Sequence, residues 1–366
     1  MINQYKSDFS PDYAVHPGEI LKDELEARGI SQKEFAERVG ASEKHISEII
    51  NAKAPISPEM SVKLETAMQT SAHIWMNLQC MFQAHEARIH ENTKLSKFTE
   101  WMHNFPIDFM INNAWIEKST DKLQQLKALL TFFGVASPRD WDVVWANIEA
   151  MYRKADDSDK YALSTWLRKG EIEALNLECR PYDETRFREI LAAIRPLTGA
   201  EPAIFVPELK KACAACGVAI AFIPQTPGSK ISGAARWLEP SKALIQLSLR
   251  YKKNDILWFT FFHEAAHLLL HRKKTIYLEN EEETISKEED EAIEFAANLL
   301  IPKREYRQFV ARGIFSENSI IRFAEAQGIS PAIVLGRLQK NDLIPWNSKL
   351  NKSLKMSLGW VRPKIN

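Results

Sequence analysis

Residues 263 to 267 read His-Glu-Ala-Ala-His, inside an apolar run that starts at Trp258 and closes on His271. On a helix of about 3.6 residues per turn, His263 and His267 leave one face a turn apart, so both imidazoles can reach a single cation. Glu264 stands about 100° round from them. Two nitrogen donors and a carboxylate at this spacing are the equipment for metal-assisted hydrolysis of a peptide bond. The run from Ile256 to Leu270 predicts a buried helix, with Asn254 or Asp255 as its N-cap. In such a helix two His and a Glu would otherwise lack partners. The competing reading makes the two His core residues bonded to backbone.

Two imidazoles leave a zinc ion under-coordinated, because a catalytic zinc takes three protein ligands and keeps one position open. His271 repeats the four-residue spacing, but at about 1.5 Å rise it lies about 12 Å along the axis from His263. With zinc–nitrogen bonds near ~2 Å, one straight helix does not deliver three imidazoles to one ion. The extended pattern with Gly and a third His beyond His267 is ruled out by Leu270 and Lys273. A carboxylate from a second helix, predicted over Lys287–Ile301 and ended by Pro302, is left. Ala292, Phe295, Ala296 and Leu299 make its apolar stripe; Glu288 and Glu291 lie at the edge and Glu294 points away. Both edge residues stay open as ligands, and the other acids between 279 and 294 read as a solvated face.

The elements that must hold this helix begin upstream. Short β-like runs, Val218–Ile223, Ser232–Leu238 and Ala243–Leu249, are punctuated by Pro224, Pro227, Gly228 and Pro240. A small sheet beside the metal helix would let an extended substrate pair its backbone with an exposed strand edge. Residues 81 to 195 carry Trp101, Trp115, Trp141, Trp145 and Trp166 at helical spacing, read as core of a helical connector that could also serve oligomerisation. A last helical pair, Ile320–Gln327 and Pro331–Gln339, reads as packing.

Residues 16 to 80 read as five short helices, His16–Arg28, Ser31–Val39, Ser42–Asn51, Pro58–Met68 and His73–Gln79. Ser31 and Ser42 sit at N-caps, Gly29 and Gly40 at helix ends, and Glu34 follows Ser31 as in a capping box. Val39-Gly40-Ala41-Ser42 is a turn of helix-turn-helix length. This segment holds eight Lys and Arg against twelve Asp and Glu, a net of −4, so phosphate affinity would lean on a dimer doubling the contacts.

Over 366 residues, 48 basic side chains balance 48 acidic ones, so no global field draws the chain to nucleic acid or membrane, and any such contact must be local. No stretch approaches about 18 uncharged apolar residues, and no basic-plus-apolar segment opens the chain; a cytoplasmic protein without a membrane partner is expected. Cys80, Cys179, Cys213 and Cys216 are too scattered for a disulfide framework. Cys213 and Cys216 form a C-x-x-C with no second pair at ribbon spacing, and read as small packing residues.

Ile231-Ser232-Gly233-Ala234, the segment Trp258 to His271, and Glu291-Ala292-Ile293-Glu294-Phe295-Ala296-Ala297-Asn298-Leu299-Leu300-Ile301-Pro302 together resemble the ImmA/IrrE family of zinc metallo-endopeptidases over roughly residues 205 to 340. The resemblance implies zinc ligands at His263, His267 and Glu291, with Glu264 as general base. This chain has Ala266 where that family commonly has Gly, and Ile293 where Asn or Asp is usual. His16-Pro17-Gly18-Glu19-Ile20-Leu21 through Trp75-Met76-Asn77-Leu78-Gln79 resembles the helix-turn-helix domain of HigA-type antitoxins, which repress their own operons. In such a domain the third helix enters the major groove. That implies base contacts from Ser42, Glu43, Lys44, His45 and Ser47, and backbone or flanking contacts from Gln32, Lys33, Asn51 and Lys53.

The fold expected is mainly α with a small β-sheet (α+β). Its parts are a helix-turn-helix bundle over 1–80, a helical connector over 81–200, a zincin-like domain over 201–345 and a tail over 346–366. The function expected is a HigA-like regulator or antitoxin, a homodimer on operator DNA, whose zinc endopeptidase domain cleaves a regulatory protein. The alternative is a DNA-binding repressor with a structural or inactive metal site that neutralises a partner toxin.

Overall fold

The structure, a computed structural model, describes residues 15–152, 159–271 and 281–359, without the side chains of 146–152 and 281–286. The chain divides into two compact units, Met1–Glu100 and Trp101–Asn366. The described residues are mainly helical with one small mixed sheet. Among the described residues no helix is long and apolar enough to cross a membrane.

The first unit is built from α1 (Pro17–Ala27), α2 (Gln32–Val39), α3 (Glu43–Ile50), α4 (Pro58–Met68) and α5 (Ala72–Leu95). Ser31, Ser42 and Ser57 cap α2, α3 and α4, each accepting from a backbone N–H three residues on, which satisfies a donor the helix itself cannot. Glu34 turns to Arg38, so the capping box has its serine half bonded and its glutamate in an ion pair. Gly40, at φ 60°, ends α2 in the left-handed region, the backbone turn that brings α3 across α2. Leu21, Phe35, Ile46, Ile49, Leu64 and Trp75 form the core. The fifth helix runs sixteen residues past the expected Gln79 end, to Leu95, because no Gly or Pro interrupts 80–95.

The second unit contains α6 (Ile107–Asn112), α7 (Lys122–Phe133), α8 (Pro138–Tyr152), α9 (Lys160–Leu175), α10 (Glu184–Ala193) and α11 (Pro202–Ala214). Strands β1 (Val218–Phe222), β2 (Gly233–Glu239) and β3 (Lys242–Leu247) follow, then α12 (Asn254–Leu270), α13 (Glu281–Leu300), α14 (Lys303–Ala311), α15 (Glu317–Gln327), α16 (Pro331–Lys340) and α17 (Leu350–Leu354). The sheet order is β1-β3-β2, with β1 parallel and β2 antiparallel to β3, which leaves β2 at an edge. Strand periodicity splits the sheet between two layers. Ala243, Ile245 and Leu247 join Val218 and Ile220 in the core with Trp258, Phe261, Phe262 and Ala265 of α12, whereas Gln246 donates to Trp166 O of α9 at 2.6 Å.

Of the stretch expected as a connector over 81–200, residues up to Leu95 continue α5 of the first unit and those from Trp101 belong to the second. Trp166 donates to Ile223 O at 3.1 Å and Arg236 to Leu167 O at 2.9 Å, which ties α9 to the sheet. The aromatic residues ahead of it form a cluster, with Trp141 stacked on Tyr161 at 5.0 Å and edge-on to Phe105 and Phe133. The expected cap of α12 is also corrected. Lys253 holds the N-cap position without a side-chain capping bond, because Asn254 and Asp255 point to the chain's last described segment. Asn254 Oδ1 accepts from Met356 N, and Asp255 pairs with Lys355, both side chains at most 5% exposed. The part of the expected tail up to residue 359 is thus built into the unit.

Candidate functional site

The working groups converge where α12 crosses α13 beside the edge of β2. Ten of the seventeen residues of α12 are buried, and this holds its one polar stripe in place. His263 Nε2 and His267 Nε2 lie 3.1 Å apart. One Glu289 carboxylate oxygen is 3.3 Å from His263 Nε2 and the other is 3.5 Å from His267 Nε2. Tetrahedral zinc with bonds near 2.0–2.1 Å separates its ligands by about 3.3 Å. The triangle of two imidazoles and a carboxylate fits such a cation in size and in donor type, and among the described residues it is the group of three so placed.

The third donor corrects the sequence reading, which implied Glu291 and also left Glu288 open. Glu291 meets His271 instead, Oε2 to Nε2 at 3.2 Å, and Glu288 stands outside the triangle. The physical reason is the stripe of α13 that packs. Ala292, Ala296 and Leu300 are at most 2% exposed, while Phe295 and Leu299 are only partly buried. Glu289 is three residues before Ala292 and seven before Ala296, so it continues the buried line towards α12. That spacing is compatible with Glu289 but does not select it, since Glu288 and Glu291 border the same apolar stripe.

Glu264 faces the sheet. Its carboxyl accepts from Ala235 N of β2, an amide turned away from β3. Desolvation pushes its pKa up to about 7; the nearby His263 imidazole and the Ala235 N–H draw it down, and Glu289 pushes it further up. A carboxyl so placed can both take and return a proton. Gly233 opens β2 directly beneath this group. A Cβ there would overlap Thr260 Cγ2 and stand 3.0 Å from Glu264 Cγ, so the absence of a side chain makes room for the acid.

In the first unit, Ser42, Glu43 and Lys44 open α3 in exposed positions and His45 and Ser47 are half-buried beside them. Lys33, Asn51 and Lys53 are exposed and Gln32 is half-buried. Two of these have structural duties: Ser42 Oγ caps His45 N, and the Asn51 amide donates to Ser47 O at 2.8 Å. The buried Gln79 accepts from Ile56 N at 2.9 Å, tying α5 to the loop that follows α3. The C-x-x-C pair is sealed in the second unit. Burial pushes the Cys213 thiol well up and that of Cys216 to about 11, so both stay protonated and poor as ligands or nucleophiles at neutral pH.

Comparison with known proteins divides in the same way. Residues 242–339 match the IrrE N-terminal-like domain and residues 21–75 match a helix-turn-helix domain. The uncharacterized HTH-type transcriptional regulator YddM of Escherichia coli is 32% identical over 71 residues, which is 19% of this chain and 76% of that protein. Virulence-associated protein A of Dichelobacter nodosus is 46% identical over 66 residues, 18% of this chain and 65% of its own length. Among solved structures, the antitoxin HigA of Pseudomonas aeruginosa with the higBA promoter is 32% identical, covering 22% of this chain and 90% of that one at a TM-score of 0.22.

Proposed function

From a chain that belongs to the helix-turn-helix transcriptional regulators through its first unit and carries an IrrE N-terminal-like domain in its second, we propose a zinc-dependent endopeptidase joined to an operator-binding head. The observation that carries the peptidase half is the donor triangle of His263, His267 and Glu289 with Glu264 alongside. These three side chains would hold the zinc. When bound, the cation supplies Lewis acidity to an attacking water and to the scissile carbonyl.

The chain's own groups do the rest. Glu264 takes the water's proton on a carboxylate oxygen and passes it to the nitrogen of the leaving amine. The outer edge of β2 orients an extended substrate, since α12 packs against that strand and β3 occupies only its other side. A substrate strand that claims the Ala235 N–H releases Glu264 to work on the water. In the first unit the opening turn of α3, Lys44 included, reads base edges, with Lys33 and Lys53 at phosphates, and a homodimer supplies the second half-site. The substrate is a regulatory protein, and the setting is cytoplasmic.

The test is cleavage of a co-encoded regulator by the full chain. Glu264→Gln should lose turnover by about 10²–10⁴-fold while keeping zinc and operator binding, and Glu289→Gln should lose the zinc itself. Cleavage at the wild-type rate by Glu264→Gln would refute the assignment. Zinc and DNA binding without cleavage of any regulator would leave a repressor with a structural metal, one able to act on a toxin by binding alone.

A further inference from the structure

Behind the donor triangle, two side chains that do not belong to it form a line into the centre. His271 Nδ1 is 3.1 Å from His267 Nδ1, and His271 Nε2 is 3.2 Å from Glu291 Oε2. His271 is the residue at which α12 ends, with φ −118° and ψ 22°, and its own N–H still bonds His267 O at 3.1 Å. Ring and backbone therefore both meet the same histidine. The His271 side chain is only 10% exposed, whereas Glu291 is 47% exposed, so the link between the rings is shielded and its outer end reaches solvent.

The proton positions along this line follow from one premise, that His267 gives its Nε2 lone pair to the cation. Its Nδ1 then bears the hydrogen and must donate. His271 Nδ1 accepts, so the hydrogen of the neutral His271 ring sits on Nε2 and donates to the Glu291 carboxylate. Each contact has one donor and one acceptor, and no alternative tautomer satisfies both.

We propose that His271 and Glu291 are positioning residues: together they fix the tautomer and orientation of the His267 ring and raise the donor strength of its Nε2 towards the metal. A carboxylate behind an imidazole acts in this way on metal ligands generally. Here a second imidazole carries the effect across one more bond. The inference rests on the metal-site reading above and moves Glu291 from ligand to support.

Zinc affinity of the metal-free full chain, measured by competition with a chromophoric chelator, separates the two. His271→Phe keeps a ring but no nitrogen and should weaken zinc by about 10–100-fold. His271→Gln, whose amide can accept from His267 and donate to Glu291, should recover part of that loss, which a purely space-filling role would not produce. Glu291→Ala should weaken zinc by about tenfold, and Glu291→Gln, which still accepts, by less. Zinc binding within about twofold of wild type in folded His271→Phe and Glu291→Ala would overturn the proposal while leaving the site intact. Loss in Glu291→Gln as complete as in Glu289→Gln would make Glu291 a ligand and also overturn it. A wild-type chain that binds no zinc overturns both readings. If His271→Phe does not fold, the exposed Glu291→Ala decides.

Discussion

Gly233→Ala probes the packing on which the proposed general base depends. The φ of Gly233 lies outside the left-handed region, so alanine suits the backbone and any cost must come from the methyl group. That methyl would approach Thr260 Cγ2 closer than any real Cβ contact, and would stand 3.0 Å from Glu264 Cγ and 3.1 Å from Glu264 Oε1. Relaxed carbon contacts fall at about 3.5–4.0 Å, so helix α12 or strand β2 must give way, at a cost of about 1–3 kcal/mol. Thr260→Ser removes the nearest obstructing atom and by itself costs about 0.8 kcal/mol for the lost methyl. In the double variant the first clash is gone, and the two changes should couple favourably by about 1–2 kcal/mol. Urea unfolding of the four proteins gives the coupling directly. Glu264 is still crowded in the double variant, so stability should return before turnover does, with zinc content unchanged throughout. Additive losses, within about 0.5 kcal/mol, would mean that Gly233 and Thr260 do not press on each other, and the account of why glycine stands there would fall.

Lys355→Met strands the Asp255 carboxylate at 5% exposure, where its Oδ1 already has no hydrogen-bond partner among the described residues, and should cost about 3–5 kcal/mol in urea unfolding. Adding Asp255→Asn should restore most of it, and a loss below about 1 kcal/mol in the single variant would show the pair to be solvated. His16 caps α1, its Nδ1 accepting from Gly18 N at 2.9 Å. Burial holds its pKa below the ordinary 6.5, against the pull of Glu19. The unfolded chain is therefore protonated first as pH falls, so this stabilisation is complete above 6.5 and is lost as pH drops through the lower folded value. Amide protection in α1, taken relative to the intrinsic exchange rate at each pH, should fall over that window, and His16→Asn, which keeps an acceptor that does not titrate, should flatten the fall.

What could be read from sequence follows the distance over which each signal acts. The His263 and His267 pair was legible because four residues on one helix fix the geometry without help from the rest of the chain. The caps of α2 and α3 were legible for the same reason, each serine bonding an amide three residues away. Glu289 was not, although it lies only two residues from the expected Glu291. Apolar residues at 292, 295, 296 and 299 admit two centres for the packed stripe, about 100° apart. Only the contact with α12 chooses the line through Ala292, Ala296 and Leu300. Further along the chain even the candidates were invisible. Asp255 looked like a helix cap because nothing within reach of a local pattern announces Lys355, one hundred residues on. That partner alters the reading of α12 itself. Its first turn is fixed by the segment 355–358, through Asn254 N to Met356 O and Leu358 N to Lys252 O, and not by a cap. The helix that carries His263 and His267 is thus anchored at its start by a segment one hundred residues on.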